Sequence, residues 1–132
     1  ESESLFMPLI EQHGGRCVKQ EGDSLLVLFD TPKQALNAAQ AMIQATADVN
    51  PGRAEEDRIE ICIGLGFGNV LCIDNNEVWG AEVNAASKLG EEMAKAGEVL
   101  ATDKMRRALA DEPFVECGVL FGTRPVYRFS AL

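Results

Sequence analysis

Basic residues are scarce in this chain. Twelve Lys and Arg stand against 21 Asp and Glu, a formal net charge of −9 over 132 residues. Such a surface has no general attraction for nucleic acid or an anionic membrane. Histidine occurs once, as His13, and the four cysteines (Cys17, Cys62, Cys72, Cys117) show no CxxC spacing, so a zinc site is not expected. No apolar run approaches the ~20 residues of a membrane span, and no signal peptide is visible. A soluble, cytoplasmic domain without membrane insertion is the expectation. Each cysteine lies in or near an apolar run, which predicts reduced, packed thiols. There is no internal repeat, low-complexity tract or linker, and the length suits one domain with its own core.

The stretch Val18 to Phe29 organises the rest. It reads as a strand end, a polar turn and a second, apolar strand. Gly22 supplies the backbone freedom that a two-strand turn needs. The turn gathers Lys19, Glu21 and Asp23 at one hairpin end. Carboxylates and a cation at strand ends suit a metal–nucleotide site; the same residues are also common at plain exposed turns.

In chain order, Leu5, Phe6, Leu9 and Ile10 recur at helical spacing around Pro8, and His13-Gly14-Gly15 closes that segment. It reads as the last turns of a helix, with His13 in a turn or cap role. Thr31-Pro32 starts a helix running to about Asp48, with a stripe of Ala35, Ala38, Ala39, Met42, Ile43 and Thr46. Ile59–Leu65 reads as a central strand. Gly64, Gly66 and Gly68 then alternate, which is neither a dinucleotide loop nor a P-loop and fits close approach of another backbone or a ligand. Val70–Ile73 is a strand with a turn at Asp74-Asn75-Asn76. A helix follows over about Glu82–Ala96, with Val83, Ala86, Leu89 and Met93 inward. Glu98–Ala101 is a short strand, Thr102 caps a helix bearing Met105 and Leu109, and Phe114–Val119 pairs with Pro125–Phe129. Strands and helices mix without regular alternation, so the fold class is α+β: a mostly antiparallel sheet with helices packed on it.

The ordered series Lys19-x-x-Gly22-Asp23, Gly80-x-x-Val83-Asn84-x-Ala86-Ser87-Lys88-Leu89 and Gly97-Glu98-Val99-Leu100 resembles the class III nucleotidyl cyclases, the adenylate/guanylate cyclase catalytic domain. So do His13-Gly14-Gly15-Arg16, Phe29-Asp30-Thr31-Pro32, Ile63-Gly64-Leu65-Gly66 and Arg124-Pro125-Val126-Tyr127. The resemblance implies a ferredoxin-like sandwich that pairs as a homodimer with sites at the interface. It implies conversion of ATP to cyclic AMP and pyrophosphate with two divalent ions, Mg or Mn. It places Asp23 as a metal ligand, Lys19 and Glu77 at the purine, Asn84 at the ribose and Lys88 at the transition state.

The chain departs from the family pattern in three places. Lys88 stands where the family has arginine, keeping the charge without the bidentate fork. Leu120-Phe121-Gly122 stands where the family has Leu-Lys-Gly, with Arg124 nearby. No Asp-x-x-Gly-Phe motif precedes Leu5, so residues 1–132 read as a single cyclase-like domain lacking its first strand and helix. The alternative reading is a degenerate module that dimerises or binds nucleotide without turnover. A guanylate cyclase is a third, against which Lys19 argues. Each site residue also has a plain reading: Asp23 as a turn residue, Asn84 as a helix-start residue, and Lys19, Glu77 and Lys88 as solvated charges.

Overall fold

The structure, a computed structural model, describes residues 2–73 and 77–131. The expected turn at Asp74-Asn75-Asn76 lies outside the described residues.

Helix α1 (Ser2–Gln12) carries Pro8 inside it and buries Phe6 and Ile10. It ends as expected. Gly14 takes φ 81, Gly15 N–H donates to the Ile10 carbonyl at 2.8 Å, and His13 Nδ1 lies 2.8 Å from the Leu9 carbonyl. Strands β1 (Arg16–Glu21) and β2 (Ser24–Leu28) form an antiparallel hairpin closed by Gly22 and Asp23, with a bulge between Cys17 and Lys19. Only Gly22 of the two turn residues has positive φ, at 55°, which suits a turn matched to strand twist. Helix α2 (Pro32–Val49) begins on a reciprocal cap: Thr31 accepts from the Gln34 N–H, and the Gln34 side chain accepts from the Thr31 N–H.

A four-stranded sheet lies at the centre, in the order β3 (Ile63–Leu65), β6 (Val99–Thr102), β8 (Arg124–Phe129), β7 (Phe114–Leu120). Only the β3–β6 pair is parallel. Strand β6 is buried on both faces. Val99 and Ala101 join the core formed with α1 and α2, whereas Leu100 joins Ala85, Leu89, Leu120 and Val126 on the opposite face. Period-two alternation therefore divides one strand between two cores. Strands β4 (Leu71–Ile73) and β5 (Glu77–Trp79) form a separate hairpin. Helix α4 (Asp103–Ala108) starts on Thr102, whose hydroxyl accepts from the Met105 N–H, and Met105 and Leu109 are buried.

Several expectations need correction. Strand β3 covers only Ile63–Leu65 and is the last strand of its sheet, not a central one. The Asn50 side chain instead binds the N–H and carbonyl of Ile59, both at 2.8 Å, so side chain replaces sheet there. Glu77–Trp79 is a strand, because Leu71 and Trp79 pair across the hairpin. Helix α3 (Ala81–Lys88) is shorter than expected and runs into one π-helical turn, Leu89–Met93. Its buried face is Glu82, Ala85 and Leu89; Val83 and Ala86 are half-buried. Three of the four thiols, Cys62, Cys72 and Cys117, are exposed rather than packed. Cys72 and Cys117 lie on a two-stranded hairpin and on the sheet's outer strand β7, each with a face open to solvent.

Candidate active site

The first cluster is the hairpin corner between β1 and β2. Lys19 Nζ pairs with Glu21 Oε1 at 2.7 Å, and both side chains are largely exposed. This bond raises the Lys19 pKa above its ordinary value, and the field of Glu77 adds to it. Lys19 and Glu77, far apart in sequence, thus come within each other's field because β5 runs beside β1. Asp23 sits exposed in the turn itself.

The second cluster follows directly in the chain. Glu77 opens β5, where its carboxylate lies 3.4 Å from the Trp79 indole N–H. Gly80 then leads into α3, which carries exposed Asn84 and half-buried Lys88 one turn apart. Lys88 Nζ pairs with Glu92 at 3.2 Å and lies 5.9 Å from the Phe121 ring centroid. The five predicted site residues therefore form two groups: Lys19, Asp23 and Glu77 by the hairpins, and Asn84 and Lys88 on α3. No hydrogen bond or ion pair joins the groups among the described residues.

Two glycines, Gly64 and Gly66, set the position of α3. A Cβ on Gly64 would stand 2.2 Å from the Ala86 carbonyl oxygen and 2.7 Å from Gly90 N; one on Gly66 would stand 2.6 Å from the Glu82 carbonyl oxygen. The alternating glycines thus admit a helix backbone against β3 rather than a ligand.

One residue of the site was missed by sequence reasoning. Glu82, only 6% exposed, accepts from the Phe67 N–H at 3.0 Å and from the Thr102 hydroxyl at 2.6 Å through the same oxygen. It ties the start of α3 to the end of β3 and the start of α4, two residues before Asn84. Its sequence signal was weak, since an acidic residue in a first helical turn ordinarily serves the helix dipole in solvent. Glu82→Ala is expected to destabilise the domain by about 2 kcal/mol, because the buried Thr102 hydroxyl loses its acceptor. Glu82→Gln, which keeps an acceptor, should cost less. Urea unfolding of both variants checks this.

A cavity of about 320 Å³ opens beside this anchor, lined by residues that include Glu82, Thr102, Lys104, Arg107, Leu120 and Arg124. Arg107 pairs there with Asp103. No cluster of three metal-ligating side chains occurs among the described residues. The donors present suit Mg²⁺ in its usual nucleotide mode, with one or two carboxylates plus phosphate and water, and do not make an all-protein cage. Asp23 is the hard-oxygen donor available for that purpose at the corner, Glu21 being engaged by Lys19. No helix among the described residues is long and apolar enough to cross a membrane.

Comparison with known proteins places the fold in a family. The family described as "Adenylate and Guanylate cyclase catalytic domain" matches residues 2–121. An adenylate/guanylate cyclase/hydrolase crystal structure from Silicibacter pomeroyi is 32% identical, with a TM-score of 0.83, and the match covers 96% of this chain and 79% of that one. The catalytic core of a rhodopsin-guanylyl cyclase with converted specificity, solved with ATPαS, shares the fold at 21% identity and a TM-score of 0.75, over 99% of this chain and 79% of that one. A protein named adenylate cyclase in Mycobacterium tuberculosis is 27% identical over 120 residues, 83% of this chain and 27% of its own length. The chain spans 14% to 30% of the length of the curated relatives it matches. With its fold and its ordered motifs in place and the family match running over residues 2–121, the chain belongs to the adenylate and guanylate cyclase catalytic domain family.

Proposed function

We propose that the domain converts ATP to cyclic AMP and pyrophosphate, as one of two like chains that share the reaction site. The observation that carries this reading is that β5 lies beside β1, which puts Glu77, an acceptor, on the strand next to Lys19, a donor, and a purine edge needs both. In the reaction the ribose 3′-oxygen bonds to the α-phosphorus, the bond from that phosphorus to the bridging oxygen breaks, and the hydroxyl proton passes to solvent. Asn84 orients the ribose and Lys88 balances negative charge on the phosphates. Asp23 holds the divalent cation, Mg²⁺ or Mn²⁺, whose chemistry is to neutralise the triphosphate. Relatives named adenylate cyclase support ATP as the substrate.

Pairing of two chains brings one protomer's Asp23 corner toward its partner's α3, which the separation of the two groups calls for. The β4–β5 hairpin supports it, presenting Leu71 at 61% and Trp79 at 59% exposure directly opposite one another. A cross-strand apolar pair of that exposure suits burial against a second copy.

The test is turnover of ATP and of GTP by the full-length protein with Mn²⁺ or Mg²⁺. Cyclic AMP is the expected product, and no cyclic nucleotide under any metal would overturn the reading. Lys19→Glu is expected to reduce the preference for ATP over GTP by about tenfold, since a carboxylate at that place accepts from the guanine edge. Unchanged selectivity in a competition assay would remove Lys19 from base recognition. The second reading, a module that binds nucleotide without turnover, is favoured by Lys88 being tied to Glu92 at 3.2 Å. Tight ATP binding without product would select it.

A further inference from the structure

Glu82 keeps a carboxylate in the interior with no cation to answer it. Its two hydrogen bonds, from the Phe67 N–H and the Thr102 hydroxyl, both end on Oε1, and both donors are neutral. No Lys or Arg lies within ion-pair distance of it among the described residues. Buried carboxylates are ordinarily paired with a cation, because neutral donors offset only part of the lost hydration. Oε2 has no partner among the described residues, and no buried side-chain oxygen among them lacks one, so Oε2 keeps an opening. Glu82 lines the cavity between α3 and α4, and Oε2 is the acceptor it offers there.

The cavity, about 320 Å³, is at the small end of small-molecule sites. Ala81, Ala85, Leu120 and Pro125 give it apolar walls that suit a short hydrocarbon segment. Its cations are not all engaged. Arg107 pairs with Asp103, whereas exposed Lys104 has no acidic partner within ion-pair distance among the described residues. Exposed Arg124 adds a further cation to the lining. The cavity thus offers a carboxylate from a buried residue and an ammonium from an exposed one. With two carboxylates and three cations in the lining, a ligand of net charge near zero leaves the whole close to neutral. Such a ligand carries a cationic nitrogen at one end and a carboxylate at the other.

We propose that this cavity is an effector site for a small zwitterion, an amino acid whose ammonium is received by Glu82 and whose carboxylate is received by Lys104. Glu82 and Ala85 belong to the buried face of α3, and Glu82 stands two residues before Asn84. A bond to Oε2 adds to the tie that already holds the start of α3 to Phe67 and Thr102. Occupancy therefore fixes the helix that carries Asn84 and Lys88, and nucleotide binds a helix already in place. The binding chemistry stands apart from the cyclase reading, on which only the effect upon turnover rests.

The experiment is calorimetric binding of an amino-acid series of increasing length (glycine, β-alanine, 4-aminobutyrate, 6-aminohexanoate) to the full-length protein, beside ATP turnover with Mn²⁺. Butylamine and butyrate are the one-ended controls. One member of the series is expected to bind about tenfold or more tighter than either control, since its second charged end adds about that factor. At saturation it should lower the KM for ATP about fivefold, the low end of coupling between sites. Glu82→Gln keeps the acceptor and loses the charge, and should weaken that ligand about tenfold. Lys104→Ala, at an exposed position, should do the same without disturbing the core. Ala81→Leu fills the cavity from an exposed position and should abolish binding while the melting temperature holds. Lys95→Ala, a cation exposed elsewhere, should bind as wild type does. The proposal is overturned by a series no tighter than its controls, by wild-type affinity in Lys104→Ala and Ala81→Leu, by displacement of the ligand with pyrophosphate, or by an unchanged KM at saturation. Lys104-dependent binding without turnover under any metal leaves the site standing and removes the cyclase reading; normal turnover with no binding does the reverse.

Discussion

Asp23→Ala in the full-length protein is expected to lower ATP turnover by about a hundredfold or more while leaving the fold intact. The two parts of this result have separate physical causes. Asp23 sits exposed in a two-residue turn whose geometry depends on Gly22 at φ 55, and no hydrogen bond or ion pair engages its side chain among the described residues. A surface substitution of that kind changes stability by only about 0.5 kcal/mol. The activity loss comes from charge. Removing one group that answers negative charge in a transition state costs about a hundredfold to a thousandfold. Asp23 does not answer that charge itself; the cation it is proposed to hold would, and losing the carboxylate weakens that hold. Raising Mn²⁺ should recover part of the rate, because the remaining ligands are phosphate and water. A cyclic AMP assay beside thermal unfolding reads both parts. Wild-type turnover in the variant would show that the hairpin corner is only a turn.

Gly64→Ala should have the largest effect on stability, about 3 kcal/mol or more, and should fail to fold at the upper end. Its added methyl would meet the Ala86 carbonyl at 2.2 Å and Gly90 N at 2.7 Å. Both are backbone atoms, which cannot swing aside as a flexible side chain does. The helix must move off the sheet, opening the core of Ala85, Leu89 and Leu100. Overpacking in a well-packed core typically costs about 1–3 kcal/mol, and rigid neighbours place this site at or above the top of that range. The consequence reaches function, since α3 carries Asn84 and Lys88. In whatever fraction folds, activity should fall with stability. Gly97→Ala is the contrast: it has nothing within 4 Å of the added methyl, and only φ 81 is against it. Chemical denaturation of the two variants separates backbone collision from backbone conformation.

Much of the architecture was legible because its signals are local. Thr31 and Gln34 cap α2 through bonds three residues apart, Gly22 closes a hairpin between its own strands, and Thr102 caps α4 on Met105. A side chain that satisfies a backbone group within one turn leaves its mark in a short window. The alternating glycines announced a close approach for the same reason, since the missing Cβ atoms are on β3 and the residues just after it. The failures were all non-local. Of the inward face expected for α3, Leu89 is buried and Met93 packs on the same cluster, whereas Val83 and Ala86 are half-buried and Glu82 and Ala85 point to the core. Glu82 marks only the start of that helix in the sequence: no periodicity reveals that Phe67 N–H and the Thr102 hydroxyl meet its carboxylate. Likewise Ile59–Leu65 looks like one long strand, but Asn50 takes the backbone of Ile59.

By itself, the order of residues determined the α+β class, the acidic character, the turns and caps, and the family through motifs that follow one another along the chain. The folded molecule alone decided which charges meet: Lys19 in the field of Glu77, Glu82 beneath α3, and Lys88 and Arg124 about Phe121. The reason is range. Caps and turns act over a few bonds and are written where they act, whereas electrostatic partnership depends on distance in space, which exists only once helices and strands have packed.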